Sequence, residues 1–355
     1  MKLKVIVLRN ESEKDHLPWI VACDTYRDQV SSRIVNLTAS GWLEDIQAEP
    51  SDVLLAKPGG LTALFKQLYD ERVYILSRYL GYDMFPSPEE IFIYENKRML
   101  SYWLKANGIP HPATTVIYDM SEALEYLSTA VYPVVAKTNI GASGSGVRVL
   151  HNRSEAVSYT EATFRGKGAP ERTGPNLEKG GYLKRGLHYL RHPGDINGKL
   201  KIYRTRAASL QRGFVIFQEH IDHSFEWRAV RIGESYFAHK KLKAGEKASG
   251  SLLKNYDNPP TGLLDFVREI TDKHGFRSQA VDIFESDRGY LVNEMQCIFG
   301  QSDSYQMLVD GKPGRYLHNV QGWLFQEGDF AINECYNLRL RYLIDNHESS
   351  LRLQR

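Results

Sequence analysis

Two acidic residues near the end of the chain belong to a pattern typical of one β-hairpin. Two apolar runs flank a turn cluster that ends in Gly289. We predict a three-residue loop with Gly289 in the left-handed conformation. This loop pairs Ser286 with Tyr290, and counting back along both strands places Asp282 opposite Glu294.

Opposed carboxylates need a positive partner. Directly opposite side chains lie about 5 Å apart, where two ionised carboxylates repel by roughly 3–4 kcal/mol at an effective dielectric of about 20. Gln296 joins them, because side chains two apart on a strand share a face. Two carboxylates and an amide oxygen are hard ligands suited to Mg²⁺. The sequence therefore predicts a magnesium site at Asp282, Glu294 and Gln296, and a hairpin whose acids simply face water is the alternative.

A lysine and a glycine-rich stretch follow an apolar strand. Lys137 ends that strand, and six small residues precede the next one: Gly141, Ala142, Ser143, Gly144, Ser145 and Gly146. Small residues let backbone N–H groups approach an anion, and the lysine supplies charge. The stretch is neither a P-loop nor a dinucleotide fingerprint, because no Lys-Ser/Thr follows the glycines and a strand follows them instead of a helix. It predicts an anion-binding hairpin loop, with an ordinary surface hairpin as the alternative.

The strand 214–221 ends in residues that could hold a flat ring. Its last four residues are Gln218, Glu219, His220 and Ile221. A strand end with a free backbone edge can hydrogen-bond a planar heterocycle such as adenine.

Further charged residues lie on the following strands. Glu226 and Arg228 share one face, and arginine suits bidentate binding of a phosphate or carboxylate; a cross-strand ion pair is the alternative. Lys241 and Lys247 add positive charge to the facing strand and loop, where lysines are usually solvated. Lys97 lies on a mixed helical face, which by itself favours a solvated surface lysine.

Composition bounds the class of protein. The 355 residues suffice for two domains or several lobes, and 42% hydrophobic with 25% charged residues is typical of a soluble globular protein. A net charge of +2 gives no global attraction to nucleic acid, and no apolar run is long enough to span a bilayer. The N-terminus lacks a signal-peptide pattern. Three widely spaced cysteines predict no disulfide framework, and we expect a cytoplasmic protein.

The predicted elements are arranged in a definite order. Over residues 1–85, short apolar runs alternate with helix-compatible segments, which predicts a small parallel α/β layer. Ser87, followed by Pro-Glu-Glu, is predicted to cap the start of a helix. Strands then dominate up to the hairpin, and the last predicted helix runs from Asn333 to Asp345, followed by a frayed tail at 346–355.

Residues 165–212 differ from the rest of the chain. They hold twelve lysines and arginines against three acids, and they lack apolar periodicity. A surface loop is one interpretation, and a dock for an anionic acceptor or carrier is the other.

The order of these features resembles an ATP-grasp enzyme. The features are Asn-Lys on a helix, a strand lysine, a Gly/Ser loop, Gln-Glu-x-Ile, acid-x-Arg and finally Asn-Glu-Met-Gln, and they cover residues 85–300. The chain looks most similar to glutathione-synthetase-type and glutamate-adding carboxylate–amine ligases. The resemblance implies an α/β fold with α+β lobes and three units: a pre-ATP-grasp domain at 1–85, a lid lobe at 86–212 with a basic insertion at 165–212, and a C-terminal lobe at 213–355.

The resemblance also implies roles for individual residues. Positions matching Lys97 and Lys137 contact ATP phosphates, and the loop 141–146 closes over them. Residues 218–221 hold adenine, and Glu226 reaches the ribose. Arg228 binds the transferring phosphate, and Lys241 or Lys247 replaces an arginine that the family has and this chain lacks. The metal ligands are Asp282, Glu294 and Gln296, where the family usually has Asn in the place of Gln296.

The sequence favours an ATP- and Mg²⁺-dependent ligase, with Mn²⁺ as a possible substitute, that joins a carboxylate and an amine or thiol through an acyl phosphate. One alternative is a small-molecule kinase with a hydroxyl acceptor. Another is a non-catalytic polyanion-binding protein that uses residues 165–212. We expect small-molecule substrates, no membrane or nucleic-acid partner, and a homodimer.

Overall fold

The computed structural model describes most of the chain, in the segments 2–141, 145–170, 200, 203–244, 247–248, 253–256, 258–301 and 303–353. Only the backbone is described at 244, 247–248 and 350–353. The predicted loop residues Ala142, Ser143 and Gly144, and most of the segment 165–212, lie outside the described residues.

A parallel sheet forms the first layer, as the alternating apolar runs predict. Its strands, in the spatial order β2-β1-β3-β4, are β1 (Leu3–Arg9), β2 (Val30–Asn36), β3 (Val53–Ala56) and β4 (Met84–Phe85). The helices between them are α1 (Leu17–Thr25), α2 (Trp42–Gln47) and α3 (Ala63–Tyr74), which continues as a π-helical turn, Ile75–Tyr79. The apolar residues of β1 and β3 are buried on both faces, because helices cover both sides of such a sheet.

An antiparallel sheet forms the second layer. Its strands, in the order β5-β8-β6-β7, are β5 (Thr114–Ile117), β6 (Val134–Lys137), β7 (Val147–Leu150) and β8 (Val215–Glu219). Two helices cover it, α6 (Met120–Thr129) and α7 (Arg153–Phe164). Leu127, Tyr159 and Phe217 meet in the core between the helices and the sheet. The Gly/Ser stretch therefore joins the two antiparallel strands β6 and β7, as predicted.

The third sheet is the largest and carries the acidic hairpin. Its main path is β14-β13-β9-β10-β16-β15, and its strands are β9 (Phe225–Ile232), β10 (Ser235–Ala244), β11 (Lys247–Ala248), β12 (Lys254–Asn255), β13 (Ser278–Ser286), β14 (Gly289–Gln296), β15 (Leu308–Val309), β16 (Lys312–Asn319) and β17 (Gly322–Glu327). Three helices accompany it: α4 (Pro88–Ile93), α5 (Lys97–Ala106) and α8 (Thr261–Lys273). Leu100 and Leu104 of α5 pack with Trp227 and Met295 in its core.

The C-terminal helix α9 runs from Tyr336 to Leu353, so the predicted helix Asn333–Asp345 is wrong at both ends. Asn333 begins a left-handed turn, with φ of +52°, that cannot continue into a right-handed helix. The tail that we predicted to be frayed is helical as far as Leu353. Tyr336 anchors the start of this helix, because it is buried in the core of the parallel sheet.

The predicted boundaries at residues 85 and 212 stay predictions, since the cores mix distant parts of the chain. Tyr336 and Leu340 from α9 pack in the core of the parallel sheet, whereas Leu100 from α5 packs in the core of the largest sheet. No helix in the described segments combines the length and the apolar character needed to cross a membrane.

Candidate active site

The hairpin of β13 and β14 places Asp282 opposite Glu294, as predicted. Gly289 has the expected left-handed backbone, with φ of +88°. The turn is nevertheless shorter than predicted: Ser286 pairs with Gly289 across two loop residues, and the predicted pairing of Ser286 with Tyr290 is wrong.

A β-bulge brings the two acids back into opposition. Ile283 pairs with Val292, and the register then shifts, so that Asp282 pairs with Glu294 and Asn293 is left over in β14. A bulge of this kind adds one residue to one strand and re-aims its side chain. Asn293 becomes a member of the site, which the sequence reasoning missed because a bulge has no local sequence signal.

The protein itself supplies the cations that neutralise Asp282. Arg228, opposite it on β9, donates from Nε to Asp282 Oδ1 at 2.8 Å and from Nη2 to Oδ2 at 2.9 Å. Lys241 Nζ donates to the same Oδ2 at 2.7 Å. Burial alone would raise the pKa of Asp282, which is 2% exposed, but the two cations outweigh burial and hold that pKa far below its usual range. Arg228 and Lys241 thus offset the negative charge of Asp282, and no metal is needed to hold this acid opposite Glu294.

The same network reaches the second sheet. Lys241 Nζ also donates to Glu226 Oε2 at 2.8 Å, and Glu226 Oε1 accepts from Asn293 Nδ2 at 3.1 Å. Lys137 Nζ, at the end of β6, donates to Asn293 Oδ1 at 2.7 Å. Burial lowers the pKa of Lys137 to about 8, although the nearby Glu294 raises it. Lys241 is therefore a bridge between two buried acids, and the side chain of Lys247 lies outside the described residues.

Glu294 has very different surroundings. Its side chain is 26% exposed, and it accepts no hydrogen bond from any described residue; its nearest cation is Lys97 Nζ, at 3.6 Å. Lys97 Nζ donates to Gly141 O at 2.8 Å. Gln296 lies beside them, with Oε1 3.4 Å from Arg228 Nη2.

Glu95 is a second acid beside Lys97, and it was not predicted as a site residue. Its Oε2 lies 3.9 Å from Lys97 Nζ, and its Oε1 accepts from Gln296 Nε2 at 3.3 Å. Glu95 is 6% exposed and has φ of +48°, a value uncommon for a residue other than glycine. Burial raises the pKa of its carboxyl group, although Lys97 opposes that shift.

The start of the glycine-rich loop is docked onto the N-terminus of α5. Asn139 Oδ1 accepts from the Arg98 amide at 2.8 Å, and Asn139 O accepts from the Lys97 amide at 3.1 Å. Thr138 N donates to Gly146 O at 2.8 Å, and a Cβ at Gly146 would collide with the Thr138 side chain. This close approach requires glycine at position 146, and it holds the described ends of the loop beside Lys97.

Two curated proteins resemble parts of the chain, although no protein-family model matches it. The chain is 33% identical over 82 residues to the alpha-aminoadipate–LysW ligase LysX of Saccharolobus solfataricus, a match that covers 23% of this chain and 30% of that protein. It is 30% identical over 117 residues to the carbamoyl phosphate synthase large chain of Archaeoglobus fulgidus, covering 33% of this chain and 11% of that protein. The chain thus spans less than a third of either relative.

Solved structures resemble far more of the chain. The D-alanine–D-alanine ligase of Bacillus anthracis matches with a TM-score of 0.55 at 14% identity, over 99% of this chain and 98% of its own. The biotin carboxylase domain of the 2-oxoglutarate carboxylase of Hydrogenobacter thermophilus, in complex with MgADP, matches with a TM-score of 0.53 at 14% identity, over 84% and 65%. Both are ATP-grasp structures. The chain has the ATP-grasp fold.

Within this ATP-grasp fold, the expected adenine edge needs a correction. Gln218 pairs with Thr114 of β5 on one side and with Val135 of β6 on the other, so its backbone has no free edge, because β8 is a central strand. Glu219 pairs with Val134 of β6, and its amide donates to Ala113 O at 2.8 Å. The roles of both residues stay predictions. His220 and Ile221 lie beyond the paired strand, and together with Glu219 they border an open cleft shared with the tip of the hairpin, residues 285–288.

A small polar pocket adjoins Arg228. His239, opposite Arg228 on β10, borders it, and burial lowers the pKa of His239 to about 3, so its ring is neutral at pH 7. Lys254 and Tyr256 also line the pocket, and both donate to Asp303 Oδ2, at 2.5 and 2.6 Å. No sequence motif singled out this pocket, because its residues come from segments far apart in the chain.

The oxygen donors of the ATP-grasp site fit a magnesium ion. Glu294 has a carboxylate without a described hydrogen-bond donor. A carboxylate has about four acceptor positions, and Arg228 and Lys241 occupy three of those on Asp282, which leaves one on Oδ1. The described residues contain no cluster of three or more His, Cys, Asp or Glu side chains able to hold a metal. The free acceptor positions on Glu294 and Asp282 suit Mg²⁺, which keeps waters and binds substrate phosphates as well.

Proposed function

We propose that the protein is an ATP-dependent ligase that joins a carboxylate to an amine. One observation carries the proposal: Lys97, from α5, and Lys137, from the second sheet, both lie close to Glu294 in an ATP-grasp fold. Paired lysines suit phosphate oxygens, and a carboxylate beside them suits a metal that accompanies the phosphates.

The proposed reaction has two steps. A carboxylate oxygen attacks the γ-phosphorus of ATP, and the bond to the β–γ bridging oxygen breaks, which gives an acyl phosphate and ADP. The amine nitrogen then attacks the acyl carbon, phosphate leaves, and the nitrogen loses a proton to give the amide. The covalent chemistry belongs to the substrates, so the protein contributes positioning and charge.

The charged residues divide this work. Lys97 and Lys137 bind the phosphate oxygens of the nucleotide and offset their negative charge. Arg228 donates hydrogen bonds to Asp282 from Nε and Nη2. Its Nη1 is therefore available to bind the substrate carboxylate or the acyl phosphate in the adjoining pocket. Lys241 acts through Asp282 and Glu226, since it lies between them. His220 and Ile221 border the space we assign to adenine, and Glu226 is the candidate for the ribose.

We propose Mg²⁺ as the metal that accompanies the nucleotide, held by Glu294, Gln296 and Oδ1 of Asp282, with Mn²⁺ as a substitute. Bound there, the ion would supply positive charge to the phosphate oxygens. We further propose a cytoplasmic homodimer whose basic segment 165–212 receives an anionic acceptor or carrier.

The experiment is a screen of paired amino acids and sugar acids with ATP and Mg²⁺, in which phosphate release is measured with each substrate alone and with both. A ligase releases phosphate when both the carboxylate and the amine are present, and mass spectrometry identifies the amide. A phosphorylated hydroxyl compound without free phosphate would assign a kinase instead. Failure of the protein to bind MgADP in calorimetry would contradict the nucleotide site itself.

A further inference from the structure

Glu95 stands between two helices, close to Lys97. It follows α4, which ends at Ile93, and precedes α5, which begins at Lys97. Its left-handed backbone interrupts the helical path, with φ of +48°. Its carboxylate reaches the end of β14, where Oε1 accepts from Gln296 Nε2 at 3.3 Å. The connection between α4 and α5 therefore meets the strand of the acidic hairpin at this residue.

One oxygen of this carboxylate has no hydrogen-bond partner. Oε2 of Glu95 is buried and has no hydrogen-bond donor at normal distance and angle, although the Gly141 amide lies close enough to this carboxyl group to lower its pKa, and the whole side chain is only 5% exposed. Its distance of 3.9 Å from Lys97 Nζ is well beyond the usual 2.7–2.9 Å of a charge-assisted hydrogen bond, so the lysine does not satisfy it. A buried charged oxygen without a well-placed donor is costly, and a bound cation would offset that cost.

Glu294 faces the same lysine in the same way. Lys97 Nζ lies 3.6 Å from Glu294 Oε1 and 3.9 Å from Glu95 Oε2, but it donates its hydrogen bond to Gly141 O. Two carboxylates thus share one ammonium group that is bonded to neither. If the lysine turns to the phosphates of a nucleotide, the two acids need another cation, and a divalent one suits two carboxylates.

We propose that Glu95 is a further oxygen ligand of the divalent cation that enters with the nucleotide, beside Glu294 and Gln296. This inference rests on the proposed function, because the nucleotide brings the cation. Asp282 has less to offer the ion, since Arg228 and Lys241 already engage both of its oxygens.

The test measures Mn²⁺ binding by electron paramagnetic resonance of the free ion, at saturating ADP. Glu95→Gln should weaken Mn²⁺ binding by about tenfold or more, while ADP binding without metal stays unchanged. Glu11→Gln is the matched control: Glu11 Oε2 is also buried without a partner, but Glu11 Oε1 binds the backbone amides of Gly60 and Leu61. Its Mn²⁺ affinity should equal that of the unchanged protein.

Three results would overturn the inference. Equal Mn²⁺ affinity in E95Q and the unchanged protein removes Glu95 as a ligand. Weaker ADP binding without metal, at unchanged Mn²⁺ affinity, makes Glu95 a positioning residue for Lys97 instead. Absence of Mn²⁺–ADP binding in the unchanged protein overturns the proposed function together with this inference. If E95Q does not fold, Glu95→Asp, which retracts the carboxylate by one methylene, is used, and it should show the same loss.

Discussion

Asp282 and Glu294 stand opposite each other on one hairpin, yet their surroundings differ in almost every respect. Asp282 is 2% exposed and accepts hydrogen bonds from two cations, whereas Glu294 is 26% exposed at its side chain and accepts none from a described residue. Each acid belongs to a wider group. The closed half of the site comprises Glu226, Arg228, Lys241 and Asp282, and the open half comprises Glu95, Lys97 and Glu294.

The two halves show how one site can be both stable and receptive. In the closed half each buried acid has a bonded cation, so the network is complete without a ligand. In the open half one lysine lies near two acids and is bonded to neither. A ligand can gain most where charges lack bonded partners, so we assign most of the stability to the closed half and most of the cation binding, to which Asp282 adds only Oδ1, to the open half.

The largest effect should come from Asp282→Asn, which leaves the buried cations Arg228 and Lys241 without this acid. We expect the free energy of unfolding to fall by about 3–5 kcal/mol, as is typical when a buried ion pair loses one partner. Chemical denaturation followed by circular dichroism measures this loss. Glu294→Gln, the matched change on the opposite strand, should lower the same free energy by less than about 1 kcal/mol. Equal losses in both variants would contradict the division into halves.

Glu294, whose replacement should cost little stability, should matter most for catalysis. We expect Glu294→Gln to lower acceptor-dependent phosphate release by about 100-fold or more, because an amide cannot supply the negative charge that a metal–nucleotide complex needs. Phosphate release at saturating ATP measures it, and the thermal unfolding midpoint of the same sample serves as the control for folding. Retention of most of the activity would remove Glu294 from the metal site.

Lys137 joins the two halves, and its charge depends on pH. Burial lowers its pKa to about 8 from the ordinary 10.5, so the ammonium group that we propose to bind phosphate is lost as the pH rises through 8. We expect ADP affinity to fall by about tenfold between pH 7 and pH 9. Lys137→Met should bind ADP more weakly at pH 7 and without this pH dependence. An equally steep fall in K137M would assign the effect to another group.

Stability should respond to the same group in the opposite direction. The folded pKa of Lys137 lies below that of the unfolded chain, so the folded protein releases the proton first. The free energy of unfolding therefore rises from about pH 8 to about pH 10.5, and this rise should vanish in K137M. Denaturation midpoints at several pH values measure it.

Local sequence patterns were sufficient to predict those elements whose boundaries are set by their own residues. Ser87 caps α4 in a reciprocal bond with Glu90, because Ser-Pro-Glu-Glu carries all the information that such a helix start requires. The start of α9 could not be predicted from the local sequence. The left-handed turn at Asn333 depends on contacts with distant residues, including the hydrogen bond that Asn333 Nδ2 donates to Pro18 O. Long-range contacts set the elements that the pattern misplaced.

The site shows the same limit. The opposition of Asp282 and Glu294 was predicted correctly, but through a turn that is one residue too long, and the bulge at Asn293 compensates for the difference. The bonds from Arg228 and Lys241 to Asp282 depend on which strands become neighbours, and no local pattern specifies that. The metal roles stay predictions.

The smallest effect should come from an exposed ion pair between the hairpin loop and β8. Arg288 Nη2 donates to Glu219 Oε1 at 2.8 Å, but the two side chains are 49% and 36% exposed, so water and salt screen the pair. We expect a double-mutant cycle of Arg288→Ala and Glu219→Gln to give a coupling below about 1 kcal/mol that disappears in 1 M salt. A coupling above about 2 kcal/mol would mean that burial does not set the strength of ion pairs in this protein. The contrast between Asp282 and Glu294 would then lose its physical basis, because it assumes that a bonded, buried pair differs in kind from an exposed one.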